Sequence, residues 1–262
     1  MKRFIPFMKN DPVVSVVRLD GLIASGRGLN DSGMAPILEK AFAVKSEAVA
    51  LIINSPGGSP VQSALIGARI RRLAEEKERP VYAFVEDVAA SGGYWLAAAA
   101  DEIFVDDCSV IGSIGVISAG FGFTEAIGKL GVERRVHTAG TSKSMRDPFK
   151  PEKSEDVERL KVLLEDIHGT FIDHVKTRRA AKLADDDRLF TGEIWVGRKG
   201  VDVGLADAVG HIVPTLKERF GDKVRLRGFS RRRSILNRIG AKALLDLNHA
   251  VEERAAYAQF GL

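Results

Sequence analysis

The sequence predicts an α/β protein built on a largely parallel sheet, with a helical appendage toward its C-terminal side. Three observations lead there. Short apolar runs alternate with stretches of helical period, the pattern of successive β-α units. Two of these runs end in glycine-rich turns, at 54–58 and 87–93, that open directly into helical segments. The chain of 262 residues can close a core without staples, and its single cysteine, Cys108, can form no disulfide within it.

The elements follow in order. Val13 to Leu19 reads as a strand, Met34 to Ala43 as a helix and Ala48 to Ile53 as an unbroken apolar strand. Gln62 to Glu76 is amphipathic, with Leu65, Ile66, Ile70 and Leu73 on one face and Arg69, Arg71, Arg72, Glu75 and Glu76 off it. Val81 to Val85 is the next strand, and Gly92 to Ala99 is an alanine-rich helix. Short strands are expected at Glu102 to Val105, Gly115 to Ser118 and Glu133 to His137. Lys153 to Ala180 reads as a long helix whose Val157, Leu160, Leu164, Ile167, Phe171 and Val175 recur at helical spacing, a packing face. A basic strand, Lys223 to Arg227, precedes a helix from about Ala241 to Gln259 carrying Leu244, Leu245, Leu247, Val251 and Tyr257. The chain thus divides into an arm at 1–12, a principal domain at 13–222 and a basic extension at 223–262.

The chemistry concentrates in the two turns. Asp87-Val88-Ala89-Ala90-Ser91-Gly92-Gly93 leaves an apolar strand, presents Ser91 and enters a helix. Glycines let the backbone turn sharply and approach a substrate. The first turn of a helix offers free N–H groups and the positive end of its dipole, favourable to an oxyanion. Asn54-Ser55-Pro56-Gly57-Gly58 repeats the arrangement after the preceding strand. One backbone N–H from each turn, at Gly57 and Gly92, can hold a single carbonyl oxygen. A serine hydroxyl needs a neighbouring base to become a nucleophile. The chain has five histidines, His137, His168, His174, His211 and His249, and none lies in the Ile111–Val116 block that follows Ser91. His137, at the end of its expected strand, reads either as a reserve base or as a structural residue. Cys108 lacks an obvious base and reads as inert.

Five blocks carry a resemblance: Asn54 to Gly58, Asp87 to Ala100, Ile111 to Ile117, Gly140 to Phe149 and Leu189 to Gly210. With these, in this order over about residues 13 to 212, the chain resembles the signal peptide peptidase A family of serine peptidases. The resemblance implies the Clp-protease/crotonase-like fold, a spiral of ββα units. It implies a serine endopeptidase acting on peptide or protein substrates, apolar or unfolded ones such as signal-peptide remnants, with no cofactor and no metal. Ser91 becomes the nucleophile, Gly57 and Gly92 the oxyanion donors and Lys143 the general base. A lysine ordinarily titrates at about 10.4, and burial disfavours its ammonium, so a desolvated Lys143 can accept a proton. Ser113 takes the role of orienting the lysine amine, or else it only satisfies a turn. Sites in the family can draw serine and lysine from two peptidase domains. A chain with room for one such domain is therefore expected to form a ring-shaped homo-oligomer.

Two other function classes stay open. A crotonase-type acyl-CoA enzyme would use the same oxyanion hole without needing Ser91 or Lys143. A non-catalytic scaffold of peptidase-like shape would need neither. The net charge of +4 is modest and no nucleic-acid motif accompanies it. Arg231, Arg232, Arg233 and Arg238 beside apolar residues form a candidate surface for anionic lipid. The N-terminal twelve residues contain no run long enough to span a bilayer, unlike many members of the family. The expectation is a cytoplasmic protein with peripheral contact at the inner membrane.

Overall fold

The computed structural model describes residues 11–26, 28–140, 142–230 and 243–262, the side chains of 243–249 lying outside that set. The arm at 1–10, the arginine cluster at 231–238 and the side chains of Leu244, Leu245 and Leu247 therefore fall outside the described residues. The chain separates into two compact units, Met1–Ile114 with Ile172–Leu262, and Gly115–Phe171.

The larger unit is organised on one eight-stranded sheet, in which β6-β5-β3-β2-β1-β8 run side by side and β4 and β7 continue from β3. The strands are β1 (Val13–Asp20), β2 (Ala48–Ser55), β3 (Val81–Ala90), β4 (Glu102–Val105), β5 (Val110–Gly112), β6 (Ile194–Val196), β7 (Ala208–Val209) and β8 (Arg225–Phe229). Every pairing is parallel except β5 with β6. A parallel sheet is covered on both faces, which is why β2 and β3 read as unbroken apolar runs. Helices α1 (Asp31–Ala43), α2 (Pro60–Lys77), α3 (Gly92–Ala98), α6 (Arg198–Asp202) and α7 (Ile212–Phe220) belong to this unit. On one face Val14, Ala48, Ala50, Tyr82, Phe84 and Phe104 pack with Leu216 of α7. On the other, Ser15 Oγ donates to Ala41 O of α1 at 2.8 Å.

Several boundaries differ from the sequence expectation. Helix α2 starts at Pro60 behind the Ser59 cap, and its buried stripe is Ser63, Ile66, Gly67, Ile70, Leu73 and Ala74. Leu65 is instead exposed, one position off that stripe. Strand β3 continues past Val85 to Ala90 through an irregularity in its register with β2. That extension decides where the next strand lies. Tyr82–Phe84 pair with β4, and Val88–Ala90 are then free to pair with Val110–Gly112. The strand expected at Gly115–Ser118 is absent, as is the one expected at Glu133–His137, and neither segment has a pairing partner among the described residues. The basic strand begins at Arg225 rather than Lys223 and pairs in parallel with β1, Val13 opposite Arg225. A final helix, α8 (Ala243–Ala258), and the turn after it set Tyr257 and Phe260 against Val88, Ala90 and Val110.

The smaller unit contains α4 (Thr124–Lys129) and most of α5 (Ser154–Arg179). Among its described residues only Phe171 is buried. Ile117, Phe121 and Leu130 are 86%, 82% and 77% exposed. The packing face expected along α5 is therefore realised only at Phe171 and Val175, and Ile167 is exposed. Within this unit Asp147 holds the turn at Phe149, accepting Arg134 Nε at 2.9 Å and Phe149 N–H at 3.1 Å.

Candidate active site

Ser91 sits where β3 ends and α3 begins, with φ 51° and ψ −120°. Positive φ in a residue with a side chain costs about 1–3 kcal/mol and persists only when the surroundings impose it. Here they do. Ser91 N–H donates to Gly112 O of β5 at 2.8 Å, and Ser91 O accepts Trp95 N–H at 3.0 Å. The result is a sharp strand-to-helix elbow that lifts the side chain out of the sheet, the geometry nucleophilic serines use on α/β folds.

The two glycine turns meet at this elbow. A Cβ on Gly57, where φ is +102°, would lie 2.8 Å from Ser91 Cβ, Ala90 O and Gly92 N. A Cβ on Gly93 would run into Ser55 O, the residue that opens the other turn. Close backbone approach therefore demands glycine on both sides. Gly92 N–H, in the first turn of α3, has no acceptor among the described residues. Gly57 N–H donates to Ser55 Oγ at 3.2 Å, and Ser55 Oγ donates in turn to Gly21 O at 2.7 Å. The exposed Gly58 N–H, one peptide further, has no acceptor among the described residues. One donor at Gly92 and one at the Gly57–Gly58 peptides are thus available for a shared oxyanion.

Gly57→Ala is expected to test that contact. The methyl group meets Ala90 O, Gly92 N and Ser91 Cβ, so the elbow must shift, and the rate at which Ser91 reacts should fall by about 100-fold or more. Initial rates beside a thermal melt check it. A Gly57→Ala protein of normal rate would show that the contact can relax without disturbing Ser91.

Ser113 follows Gly112, whose carbonyl anchors Ser91, and shares its positive φ of 51°. Its N–H donates to Glu193 O at 2.7 Å. The structure therefore brings Ser91, Gly92, Gly57 and Ser113 together at one end of the sheet in the larger unit. Lys143 belongs to the smaller unit, in a run of turns, and is exposed. The burial expected of it is absent among the described residues. His137 is exposed in the same unit. The histidine that reaches α3 is His174, whose ring stacks on Trp95 at 4.5 Å and whose ring Nε2 lies 3.0 Å from Trp95 O. Burial pulls its titration below the usual imidazole range despite that contact, so it is a neutral packing residue. Cys108 is exposed. Among the described residues no cluster of His, Cys, Asp and Glu is placed to hold a metal ion.

Sequence reasoning passed over Asn54 and Tyr257. Asn54 Nδ2 donates to Asp87 Oδ2 at 2.6 Å, tying the two turns together, and Asn54 O accepts Tyr257 O–H at 2.7 Å. Asn54 had a signal, since it opens the glycine turn. Tyr257 had none, because its partner lies 203 residues away.

Over its whole length the chain is similar, at 48% identity, to a Brucella melitensis protein named Na(+)/H(+) antiporter NhaA, spanning 39% of that protein. It is 31% identical over 75% of its length to the chloroplastic serine protease SPPA of Arabidopsis thaliana, of which it spans 30%. It thus spans well under half of either relative. Among solved structures, a membrane-bound stomatin-specific protease (1510-N) in complex with a substrate peptide matches 92% of this chain and 99% of its own. The TM-score is 0.56 at 14% identity, a likeness of fold alone, and that fold is Clp-protease/crotonase-like. Residues 73–220 match the Peptidase family S49 pattern, and on that ground the chain belongs to Peptidase family S49, a family of serine peptidases.

Proposed function

We propose that the chain is a serine endopeptidase in which Ser91 attacks the peptide carbonyl and Lys143, as a neutral amine, takes its proton. The observation that carries the reading is the strained Ser91 elbow pressed against Gly57, beside the uncommitted Gly92 N–H. Gly92 and the Gly57 turn hold the oxyanion, and Ser113 orients the lysine amine. An acyl-enzyme forms on Ser91 as the amine product leaves, and water then releases it by the reverse proton path. Apolar or unfolded peptides, such as remnants of signal peptides, are the substrates. A fluorophosphonate that labels the wild-type chain and not Ser91→Ala tests this reading most directly.

The working form is a homo-oligomeric ring. A unit that buries only Phe171 among its described residues while exposing Ile117, Phe121 and Leu130 is an incomplete core, and a second copy of the chain is the partner that completes it. Sites shared between subunits follow. Mixing inactive Ser91→Ala with inactive Lys143→Ala is then expected to restore part of the activity after subunit exchange. No recovery after proven exchange would put both residues of a site in one subunit, and an active monomer in light scattering would remove the ring. The peptidase works beside the inner membrane on its cytoplasmic side. The likeness to a protein named as an antiporter supports a place near a membrane, not a side of it. No helix among the described residues is long and apolar enough to cross a membrane itself.

A further inference from the structure

We propose that helix α8 is a latch that holds the nucleophile elbow in shape, and that Tyr257 is its positioning residue, acting on Ser91 through Asn54. This rests on the reading of Ser91 as nucleophile.

Along α8 the less exposed residues toward its end are Glu253, Ala256 and Tyr257, the spacing of one helical face, and Phe260 follows in the turn beyond it. That face meets Leu22 and segments that lead to Ser91. Tyr257 O–H donates to Asn54 O, an oxygen that also accepts Gly21 N–H at 2.9 Å. Three residues later the chain reaches Gly57, whose α-carbon abuts Ser91. The Asn54 side chain bonds Asp87, four residues before Ser91. Glu253 Oε1 accepts Leu22 N–H at 3.3 Å, beside Gly21. Tyr257 and Phe260 cover Val88 and Ala90, which lead into Ser91, and Val110, whose strand ends at the anchoring Gly112. The end of the chain thus bears on the turn that carries Gly57 and on the strands that carry Ser91 and its anchor Gly112.

The latch holds across the working range of pH. Burial, with the carboxylates of Asp20, Glu253 and Asp87, pushes the Tyr257 phenol up to about 12, so it remains a donor. General packing on a sheet would lower stability when lost and leave turnover per folded molecule intact. A latch predicts the opposite balance.

The experiment uses the full chain carrying Tyr257→Phe, which keeps the ring and removes only the hydroxyl. The expected result is a fall in kcat of about 10-fold on a quenched peptide substrate. KM should stay within about twofold, and labelling of Ser91 by a fluorophosphonate should slow by a similar factor. The melting temperature should move by only about 2–4 °C. Phe260→Leu, which loosens the same face without touching the hydrogen bond, should give a smaller fall of the same kind. An unchanged kcat and labelling rate in Tyr257→Phe would overturn the latch, as would a rise in either, which would make α8 an obstruction. A loss that disappears when rates are normalised to folded protein would overturn it as well. If the wild-type chain neither labels nor cleaves, the peptidase reading itself fails. If the wild type labels and Tyr257→Phe labels equally fast, only the latch fails.

Discussion

Ser91→Ala should lose all fluorophosphonate labelling and reduce peptide hydrolysis by roughly 10⁴-fold or more, the scale on which nucleophile deletions act in serine peptidases. What remains would be the contribution of the oxyanion donors and of binding. A second substitution at the same position separates chemistry from folding. Ser91→Gly should be equally inactive yet more stable, by about 1 kcal/mol, because glycine accepts a φ of 51° without strain. A site that trades stability for function behaves this way. Undiminished hydrolysis by Ser91→Ala would end the assignment, and a destabilised Ser91→Gly would mean that the elbow is not strained.

The second large effect is at Lys143. Lys143→Arg keeps the positive charge and most of the side-chain length, but guanidinium cannot give up its proton to become a base. Turnover should fall to the level of the Ser91→Ala protein while the fold survives, since Lys143 is exposed. Normal turnover in Lys143→Arg would send the search for a base to His137. The exposure of Lys143 adds a further expectation: if assembly is what covers it, specific activity should drop as the protein is diluted below its association range.

Much of the site was legible in the sequence because glycine and serine carry their constraints locally. Gly57, Gly92 and Gly93 are needed wherever two backbones touch, and their runs fall at strand ends that apolar composition alone marks. What escaped depends on partners distant in the chain. Ile111-Gly112-Ser113-Ile114-Gly115-Val116 contains two short, similar apolar pieces, and only pairing with the far half of β3 selects Val110–Gly112 over Gly115–Ser118. Glu133–His137 has suitable composition and no neighbour to pair with among the described residues. The face of α5 looks like a core stripe because periodicity reports amphipathicity, not which surface will cover it. Tyr257 looked like one more apolar residue of an appended helix until its hydroxyl met Asn54 O.

The pairing of Val13 with Arg225 sets an order of events during synthesis. Strand β1 leaves the ribosome early, yet its outer edge stays bare until β8 has been translated, tens of seconds later at roughly 5–20 residues per second. Through that interval the nascent chain exposes an unpaired parallel edge, the kind of surface that recruits other strands. Chaperone occupancy of ribosome-bound chains should therefore persist past the emergence of Ser91 and end only once Phe229 is out. A delay of that kind would also keep a protease from cutting its neighbours on the polysome.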